Sequence, residues 1–341
     1  MPTKTCIARW LAGDRRIVIG YYVHHHGRGH LHRAVSIARE LREDVTGLST
    51  LPRPGLWTGD WIQLDPDDRA TRLDDATANG RLHWAPFGDP GIRNRAAQLS
   101  AWFESAAPTA FVSDVSVEAA LLARLHGVPV VTVALPGQRT DPAHDLGFGI
   151  STAIIAAWPP DASGMLADSA AADRVSAVGA ISRFPVLDPP APATKTVLVL
   201  SGAGGAMQQA FPLDAAREQA PDWTWEVLGL GNWADQPWTH IRNAGVIVTH
   251  AGQNALAEVA AARRPAIVIP QERPFDEQLT TARVLAAGPW PALVLDELPT
   301  SGLAELLDRA AALDGTAWAT WNDGGGAARA ARIIESVSRA G

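Results

Sequence analysis

The sequence is poor in cysteine, has no excess of positive charge and contains no long apolar run. Its 341 residues include one cysteine, Cys6, which excludes an intrachain disulfide and a zinc cluster built on cysteines. The net charge of −7 excludes the broad basic surface typical of nucleic-acid binding. No apolar run reaches the ~18 residues of a membrane span, and no signal peptide is recognisable. We therefore expect a cytoplasmic protein without a transmembrane segment.

What the sequence does have is the composition of a globular protein, with 47% hydrophobic and 19% charged residues. At about 100–200 residues per domain, its length predicts two domains. The proline-rich stretch 185–195 is unsuited to a central strand or helix, so it marks a linker. We predict an N-terminal domain over residues 1–184, a C-terminal domain over 196–326 and a C-terminal helix over 327–341.

Short apolar runs alternate with segments of helical periodicity in both halves. The predicted strands are Arg16–Val23, Ala110–Ser113, Val128–Ala134, Thr196–Leu200, Trp225–Leu228, Gly245–Thr249 and Ala266–Ile269. The predicted helices are Leu31–Arg42, Val117–Leu125, Asn254–Ala262 and Ala327–Val337. This alternation predicts an α/β protein built from parallel βαβ units. We interpret residues 50–105 as rich in loops.

Ligands of open parallel sheets bind beyond the carboxyl ends of the strands. This rule selects loops in both halves of the chain, and we expect the two sheet edges to face each other across a cleft. The selected loops are His24–His30, the segment from Asp114, Leu135–Thr140, Ser201–Ala206, His250–Asn254 and Gln271–Gln278.

The segment Thr249–Glu258 has the features of a diphosphate site. Gly252 allows close approach of a ligand, the helix beginning near Asn254 offers free N–H groups, and His250 adds a donor. The carboxylate of Glu258 is suited to the two vicinal hydroxyls of a ribose. The alternative is that Asn254 only caps the helix and Glu258 only complements its dipole.

Two further loops of the C-terminal half are weaker candidates. The glycine-rich turn Ser201–Ala206 follows a strand, but it is neither a dinucleotide fingerprint nor a P-loop, and it is equally typical of a tight turn. The loop that ends in Asp276, Glu277 and Gln278 offers acceptors and amides suited to sugar hydroxyls. A solvated loop is the alternative.

Five of the ten histidines lie within residues 24–32. A metal site on His26 and His30 is disfavoured, because glycines separate them and no acidic or cysteine ligand is adjacent. His30 instead suits a general base, oriented by Asp114 at the end of another strand. The alternative is that His30 only satisfies the start of the helix. We interpret the Asp-x-Asp sequence at Asp65–Asp67 as chance, and we predict no metal site.

Three segments carry a resemblance to a known family. GRGHLHRA (27–34) resembles the GxGHxxR/P motif of GT-B glycosyltransferases, and SGAGGA (201–206) resembles the glycine-rich loop of their C-terminal domain. The segment 249–278, THAGQNALAEVAAARRPAIVIPQERPFDEQ, resembles the donor-site signature of the MurG-like group, glycosyltransferase family 28. The resemblance covers about residues 16–290.

The resemblance implies the GT-B architecture of two Rossmann-like domains facing a cleft, with a C-terminal helix crossing back to the N-terminal domain. It implies a nucleotide-sugar donor, usually a UDP-sugar, in the C-terminal domain, with the nucleobase of the donor near Trp233–Ala234. The implied base for proton removal is His30. The implied donor-site residues are Ser201, Gly202 and Gly205 on the phosphate side, His250 and Gly252 on the diphosphate, Gln253 and Asn254 beside it, Glu258 on the ribose, and Glu277 and Gln278 on the sugar.

The function that follows from the resemblance is inverting, metal-independent transfer of a sugar to a hydroxyl of a small-molecule or lipid-linked acceptor, without a cofactor. Because acceptors of this family include lipids, a peripheral position at the inner face of the membrane remains open. Three alternatives share the fold: a nucleotide-sugar hydrolase, a 2-epimerase and an inactive nucleotide-sugar-binding protein.

Overall fold

Two parallel sheets form the framework of the protein in a computed structural model. The structure describes residues 17–69, 73–166, 168–201, 212–229 and 236–340. The strands of the first sheet are β1 (Val18–Val23), β2 (Asp44–Ser49), β3 (Asp60–Gln63), β4 (Ala110–Asp114), β5 (Val130–Ala134), β6 (Ala153–Ala156) and β7 (Val175–Ala177). Those of the second are β8 (Thr196–Leu200), β9 (Thr224–Leu228), β10 (Val246–Thr249), β11 (Ala266–Val268) and β12 (Ala292–Val294).

Helices connect these strands and cover the faces of both sheets. They are α1 (Arg28–Ala38), α2 (Pro90–Ala106), α3 (Val117–Leu125), α4 (Pro142–Gly149), α5 (Leu213–Gln219), α6 (Pro237–Asn243), α7 (Gln253–Ala261), α8 (Glu277–Ala287), α9 (Leu303–Ala311) and α10 (Gly326–Ala340). None of the described helices is long and apolar enough to cross a membrane.

The strand orders are β3-β2-β1-β4-β5-β6-β7 and β12-β11-β10-β8-β9, with parallel pairing throughout. Central strands such as β4 and β5 are buried along their whole length, because helices lie on both faces of a parallel sheet. The predicted α/β fold of two Rossmann-like sheets is therefore confirmed. The pairing of β1 with β4 aligns Val23 with Asp114 and so places both strand ends at one edge.

The helix α2 corrects the interpretation of residues 50–105 as loop-rich. Its N-cap residue Asp89 accepts a hydrogen bond from the N–H of Ile92, and Pro90 occupies the first turn, which is the arrangement that favours helix initiation. It buries Leu99, Trp102 and Phe103. The helical spacing of these apolar residues was present in the sequence, but the surrounding polar and tryptophan-containing loops obscured it.

The first helix also begins earlier than predicted, at Arg28 instead of Leu31. Gly27 precedes it with a φ of 80°, a conformation that glycine adopts without steric cost. The early start places His30 in the first turn of α1, beside the end of β1. The glycines Gly202 and Gly205 and the segment Trp233–Ala234 lie outside the described residues.

The C-terminal helix α10 packs on the N-terminal sheet, where it contacts α1 and strands β4, β5 and β6. Ile334 is fully buried there. The carboxylate of Glu335 accepts a hydrogen bond from the N–H of Arg42 at 2.9 Å. The chain thus returns from the second sheet to the first.

We expect Ile334→Ala to lower the free energy of unfolding by about 2–5 kcal/mol, because it removes a buried aliphatic side chain and leaves a cavity. Urea unfolding followed by tryptophan fluorescence measures this change. Ser336→Ala, an exposed position of the same helix, is the matched control and should change stability by less than about 0.5 kcal/mol. Equal effects of the two substitutions would contradict the packing of α10 described above.

Candidate functional site

A cavity of about 1570 Å³ lies between the facing edges of the two sheets. Loops of both halves line it, as expected for open parallel sheets, whose ligands bind beyond the carboxyl strand ends. The predicted site residues that line this cavity are His30, Ser201, His250, Gly252, Gln253, Asn254, Glu258, Glu277 and Gln278. Asp114 lies behind the wall and is fully buried.

His30 and Asp114 form a hydrogen-bonded pair, with 2.8 Å between Nδ1 of the imidazole and Oδ1 of the carboxylate. Burial alone would raise the pKa of Asp114, but the positive charges of Arg33 and His30 and their hydrogen bonds hold it well below its usual range. Because an ionised carboxylate has no proton to donate, the contact requires a proton on Nδ1. The other ring nitrogen, Nε2, is then free to accept a proton from a ligand in the cavity.

Arg33 is a site residue to which the sequence gave no role. Its side chain is 3% exposed, and it donates from Nε to Oδ2 of Asp114 at 3.1 Å and from Nη2 to Oδ1 at 2.5 Å. A third donor, Nη1, lies 3.2 Å from Oε1 of Gln253 in the C-terminal half. The available signal was its place as the arginine of the GxGHxxR/P motif, three residues after His30.

His250 follows strand β10 and lines the cavity. Its Nδ1 accepts a hydrogen bond from the N–H of Gly252 at 3.0 Å, so the proton of the neutral ring sits on Nε2. This buried atom has no hydrogen-bond partner among the described residues. Burial, followed by the charge of Arg273, lowers the pKa of His250 to about 4, which keeps the ring neutral near pH 7.

Gly252 is required for this arrangement of His250. A Cβ atom at this position would lie 2.5 Å from Cε1 of the imidazole, closer than non-bonded carbon atoms approach. Gly252 is also the N-cap of α7, and it has no side chain to occupy the free N–H groups of the first turn. The start of α7 therefore presents backbone donors and the positive end of the helix dipole to the cavity.

Two helix N-termini meet at this point. Helix α1 contacts α7, and a Cβ at Gly29 would lie 2.2 Å from Nδ2 of Asn254. Beside this contact, Nε2 of Gln253 is buried without a hydrogen-bond partner in the described part of the chain. The arrangement concentrates unsatisfied donors and positive potential in one region, which is the environment that an anionic group prefers.

Glu258 lies on the second turn of α7, and its carboxylate is already paired. Nε of Arg183, just before the linker, lies 2.7 Å from its Oε1. Burial raises the pKa of Glu258, and the charge of Arg183 opposes that shift. A ribose at this position would have to share the carboxylate with Arg183, a partner that the sequence did not indicate.

The start of α8 has more internal contacts than the sequence suggested. Both polar groups of Gln278 are engaged, since Oε1 accepts from the N–H of Gln271 at 2.9 Å and Nε2 lies 3.3 Å from Nδ1 of His250. Gln278 thus supports His250. Glu277 lies 3.6 Å from Nη2 of Arg139 in the N-terminal half, which links the two sides of the cleft.

Ser201 directly follows strand β8 at the cavity, and its N–H donates to the carbonyl of Leu228 at 2.9 Å. The Asp-x-Asp sequence does not form a joint site. Asp65 accepts hydrogen bonds from Asn94 and Gln98 of α2, whereas Asp67 pairs with Arg95. The two carboxylates of this sequence thus have different partners.

Two groups of the described side chains have ligand atoms close enough for a metal ion. One is His24, His25 and His26, and the other is His83, Asp141 and His144. In the second group, Nδ1 of His144 lies 2.5 Å from the carboxylate of Asp141, and Nη1 of Arg139 lies 3.2 Å from Nε2. An arginine N–H at Nε2 favours a proton on Nδ1, so this group is satisfied by hydrogen bonds within the protein. The sequence gave no sign of it, because residues 83 and 141 are distant along the chain.

Eight of the ten histidines line the cavity, and burial is the largest cause of a lowered pKa in five of them, His24, His25, His32, His144 and His250. The pKa falls to about 3 in His24 and to about 4 in His32, His144 and His250. Between these values and about 6.5, the unfolded chain binds protons that the folded protein does not. Stability therefore rises with pH in this window, by up to about 1.4 kcal/mol per pH unit for each histidine.

We expect the melting temperature to fall when the pH is lowered from 7 to 5, and to fall less in His24→Gln, which removes one of these groups. Scanning calorimetry at both pH values measures the difference. The exposed His126 provides the matched control, and His126→Gln should retain the pH dependence of the original protein. The same pH dependence in His24→Gln and in the unsubstituted protein would contradict the burial of a neutral imidazole at position 24.

Comparison with known proteins is consistent with this architecture. Residues 218–311 match the family model of the glycosyltransferase family 28 C-terminal domain. A Methanopyrus kandleri protein described as an uncharacterized glycosyltransferase is 30% identical over 131 residues, or 36% of this chain and 35% of the relative. The alignment thus spans about a third of that curated relative.

Two solved structures share the fold over almost the whole chain. MurG of Acinetobacter baumannii is 17% identical with a TM-score of 0.63, covering 94% of this chain and 99% of that one. Arabidopsis thaliana UGT89C1 in complex with UDP is 13% identical with a TM-score of 0.62, covering 94% and 100%. The chain therefore has the GT-B fold, and its residues 218–311 are similar to the C-terminal domain of glycosyltransferase family 28.

Proposed function

We propose that the protein is an inverting, metal-independent glycosyltransferase that moves a sugar from a nucleotide-sugar to a hydroxyl acceptor. One observation carries the proposal: a histidine backed by a buried carboxylate and a helix N-terminus with uncapped N–H groups line the same cavity. His30 and Asp114 supply a base on one side. His250 and the start of α7 supply an anion site on the other.

The donor side is suited to a diphosphate because its donors are neutral and fixed. Nε2 of His250 and Nε2 of Gln253 are buried donors without a partner among the described residues, and the first N–H groups of α7 have no side-chain cap. Such preorganised donors stabilise charge that develops on a leaving group in a site shielded from water. The UDP complex of Arabidopsis thaliana UGT89C1 makes UDP the first nucleotide to test.

Nucleoside and sugar would occupy the groups that flank the diphosphate. Glu258 is placed to accept from ribose hydroxyls if Arg183 shares its carboxylate, and Glu277 is placed to accept from the sugar. Ser201 would lie on the phosphate side. We assign Gln278 an indirect role, because its amide already holds Gln271 and His250.

The acceptor side is apolar behind the His30 region. The cavity extends between α2, α3 and α4, where Leu99, Val117, Leu122 and Phe148 line it. Its volume of about 1570 Å³ exceeds the roughly 300–1,000 Å³ of most single-ligand pockets. Both features favour an acceptor with an apolar body, bound together with the donor.

In the proposed reaction, Nε2 of His30 removes the proton of the acceptor hydroxyl as the oxygen attacks the anomeric carbon. The bond between that carbon and the diphosphate oxygen breaks, and the configuration inverts. Asp114 stabilises the imidazolium that forms, while the donors at α7 and His250 receive the charge of the departing diphosphate.

We expect His30→Ala to lower the transfer rate by about 10²–10⁴-fold, the usual contribution of a general base, and to change UDP affinity far less. Glu258→Ala, in contrast, should act mainly on the donor and weaken UDP binding. Product formation from a panel of UDP-sugars and acceptors, with calorimetric titration of UDP, separates the two effects. Full transfer activity in His30→Ala would exclude this base, and rapid sugar release without an acceptor would favour a nucleotide-sugar hydrolase.

We expect full activity after dialysis against EDTA, because the proposed diphosphate site uses N–H donors in place of a divalent cation. The measurement is the transfer rate before and after dialysis, with added Mg²⁺ or Mn²⁺ as the control. A loss of activity that either metal restores would contradict the metal-independent mechanism.

A further inference from the structure

Arg33 joins three segments that are far apart in the sequence. It lies in the second turn of α1, donates to both oxygens of Asp114 at the end of β4, and donates to Gln253 at the start of α7. Its pKa is raised, because Asp114 more than offsets the effect of burial. The guanidinium is therefore a permanently charged, rigid fork between the two halves of the cleft.

The contact with Gln253 fixes the orientation of its amide. Oε1 accepts from Nη1 of Arg33 at 3.2 Å, so Nε2 points away from the guanidinium. That Nε2 is buried and has no partner among the described residues, while Gln253 lines the cavity. An amide flip would bring its N–H₂ group against the N–H of Arg33, so only one orientation is favourable.

The contact with Asp114 affects His30 in turn. Oδ1 of Asp114 lies 2.8 Å from Nδ1 of His30 and 2.5 Å from Nη2 of Arg33, and Nη2 lies 3.0 Å from the same Nδ1. The three groups thus share one carboxylate oxygen. A shift of the guanidinium changes both the position of the carboxylate and the field at the imidazole.

We propose that Arg33 is a positioning residue that couples occupation of the diphosphate site to the placement of His30. It holds Gln253 so that Nε2 faces the diphosphate, and it holds Asp114 so that the imidazole faces the acceptor. The inference rests on the proposed function, since it takes the diphosphate as the ligand at Gln253. By thermodynamic linkage, a ligand that binds Gln253 changes the placement of His30, and a change at His30 alters the affinity for that ligand by the corresponding amount.

A double-mutant cycle on UDP affinity tests the donor half of this coupling. Arg33→Lys keeps the charge but cannot reach Asp114 and Gln253 together, and Gln253→Ala removes the amide. We expect each substitution to weaken UDP binding by roughly tenfold, the effect of one hydrogen bond to a charged group. The double variant should bind no more than about twofold more weakly than either single variant, because both remove the same contact.

The control cycle pairs Arg33→Lys with Gln278→Ala, because the amide of Gln278 contacts His250 and not Arg33. These two effects should multiply. Multiplicative effects in the Arg33–Gln253 cycle, or unchanged UDP affinity in Gln253→Ala, would overturn the inference alone. Failure of the unsubstituted protein to bind UDP would overturn the proposed donor site and this inference together.

Nuclear magnetic resonance of the His30 ring tests the His30 side of the coupling. This experiment does not depend on the folding of Arg33→Lys. His30→Ala assigns the Cε1–H resonance by its loss. We expect saturating UDP to move this resonance in the unsubstituted protein and to move it less in Gln253→Ala, where direct effects of the nucleotide are the same but the link through Arg33 is cut. Equal displacement in both proteins would overturn the coupling.

Discussion

The site depends on one buried carboxylate. Asp114 ends a central strand and is fully buried, and an unpaired charge there would be strongly unfavourable. Arg33 and His30 are the hydrogen-bonding partners of this carboxylate. Both lie on one helix, at positions three residues apart that share a face. The same pairing that stabilises the carboxylate fixes the imidazole with Nε2 towards the cavity, so stability and orientation have a common origin.

The opposite wall of the cavity, in the C-terminal half, is built from neutral hydrogen-bond donors. It presents a helix N-terminus, a neutral imidazole and a carboxamide, each with a donor left free. Neutral donors attract an anion without the desolvation cost of a buried ammonium or guanidinium group. The glycines at 29 and 252 let the two helix starts and the imidazole approach to contact distance.

The strand–helix alternation and seven of the twelve described strands were predictable from the sequence, because buried parallel strands are apolar, and the strand ends could be grouped because the carboxyl ends of parallel strands share an edge. This reasoning selected His30, Asp114 and His250 and the start of α7. It did not indicate Arg183 beside Glu258, Arg139 beside Glu277 or the engagement of Gln278. These contacts depend on how distant segments pack together, and local periodicity carries no information about that. Helix α2 was missed for a different reason, since its apolar positions lie among polar residues and tryptophans.

The most direct measurement is a crystal structure of the protein with UDP bound in the presence of EDTA. The account predicts a diphosphate within about 2.7–3.2 Å of Nε2 of His250 and of the first N–H groups of α7, with no cation between them. UDP bound elsewhere, or a diphosphate held at a distance from α7, would contradict the central claim.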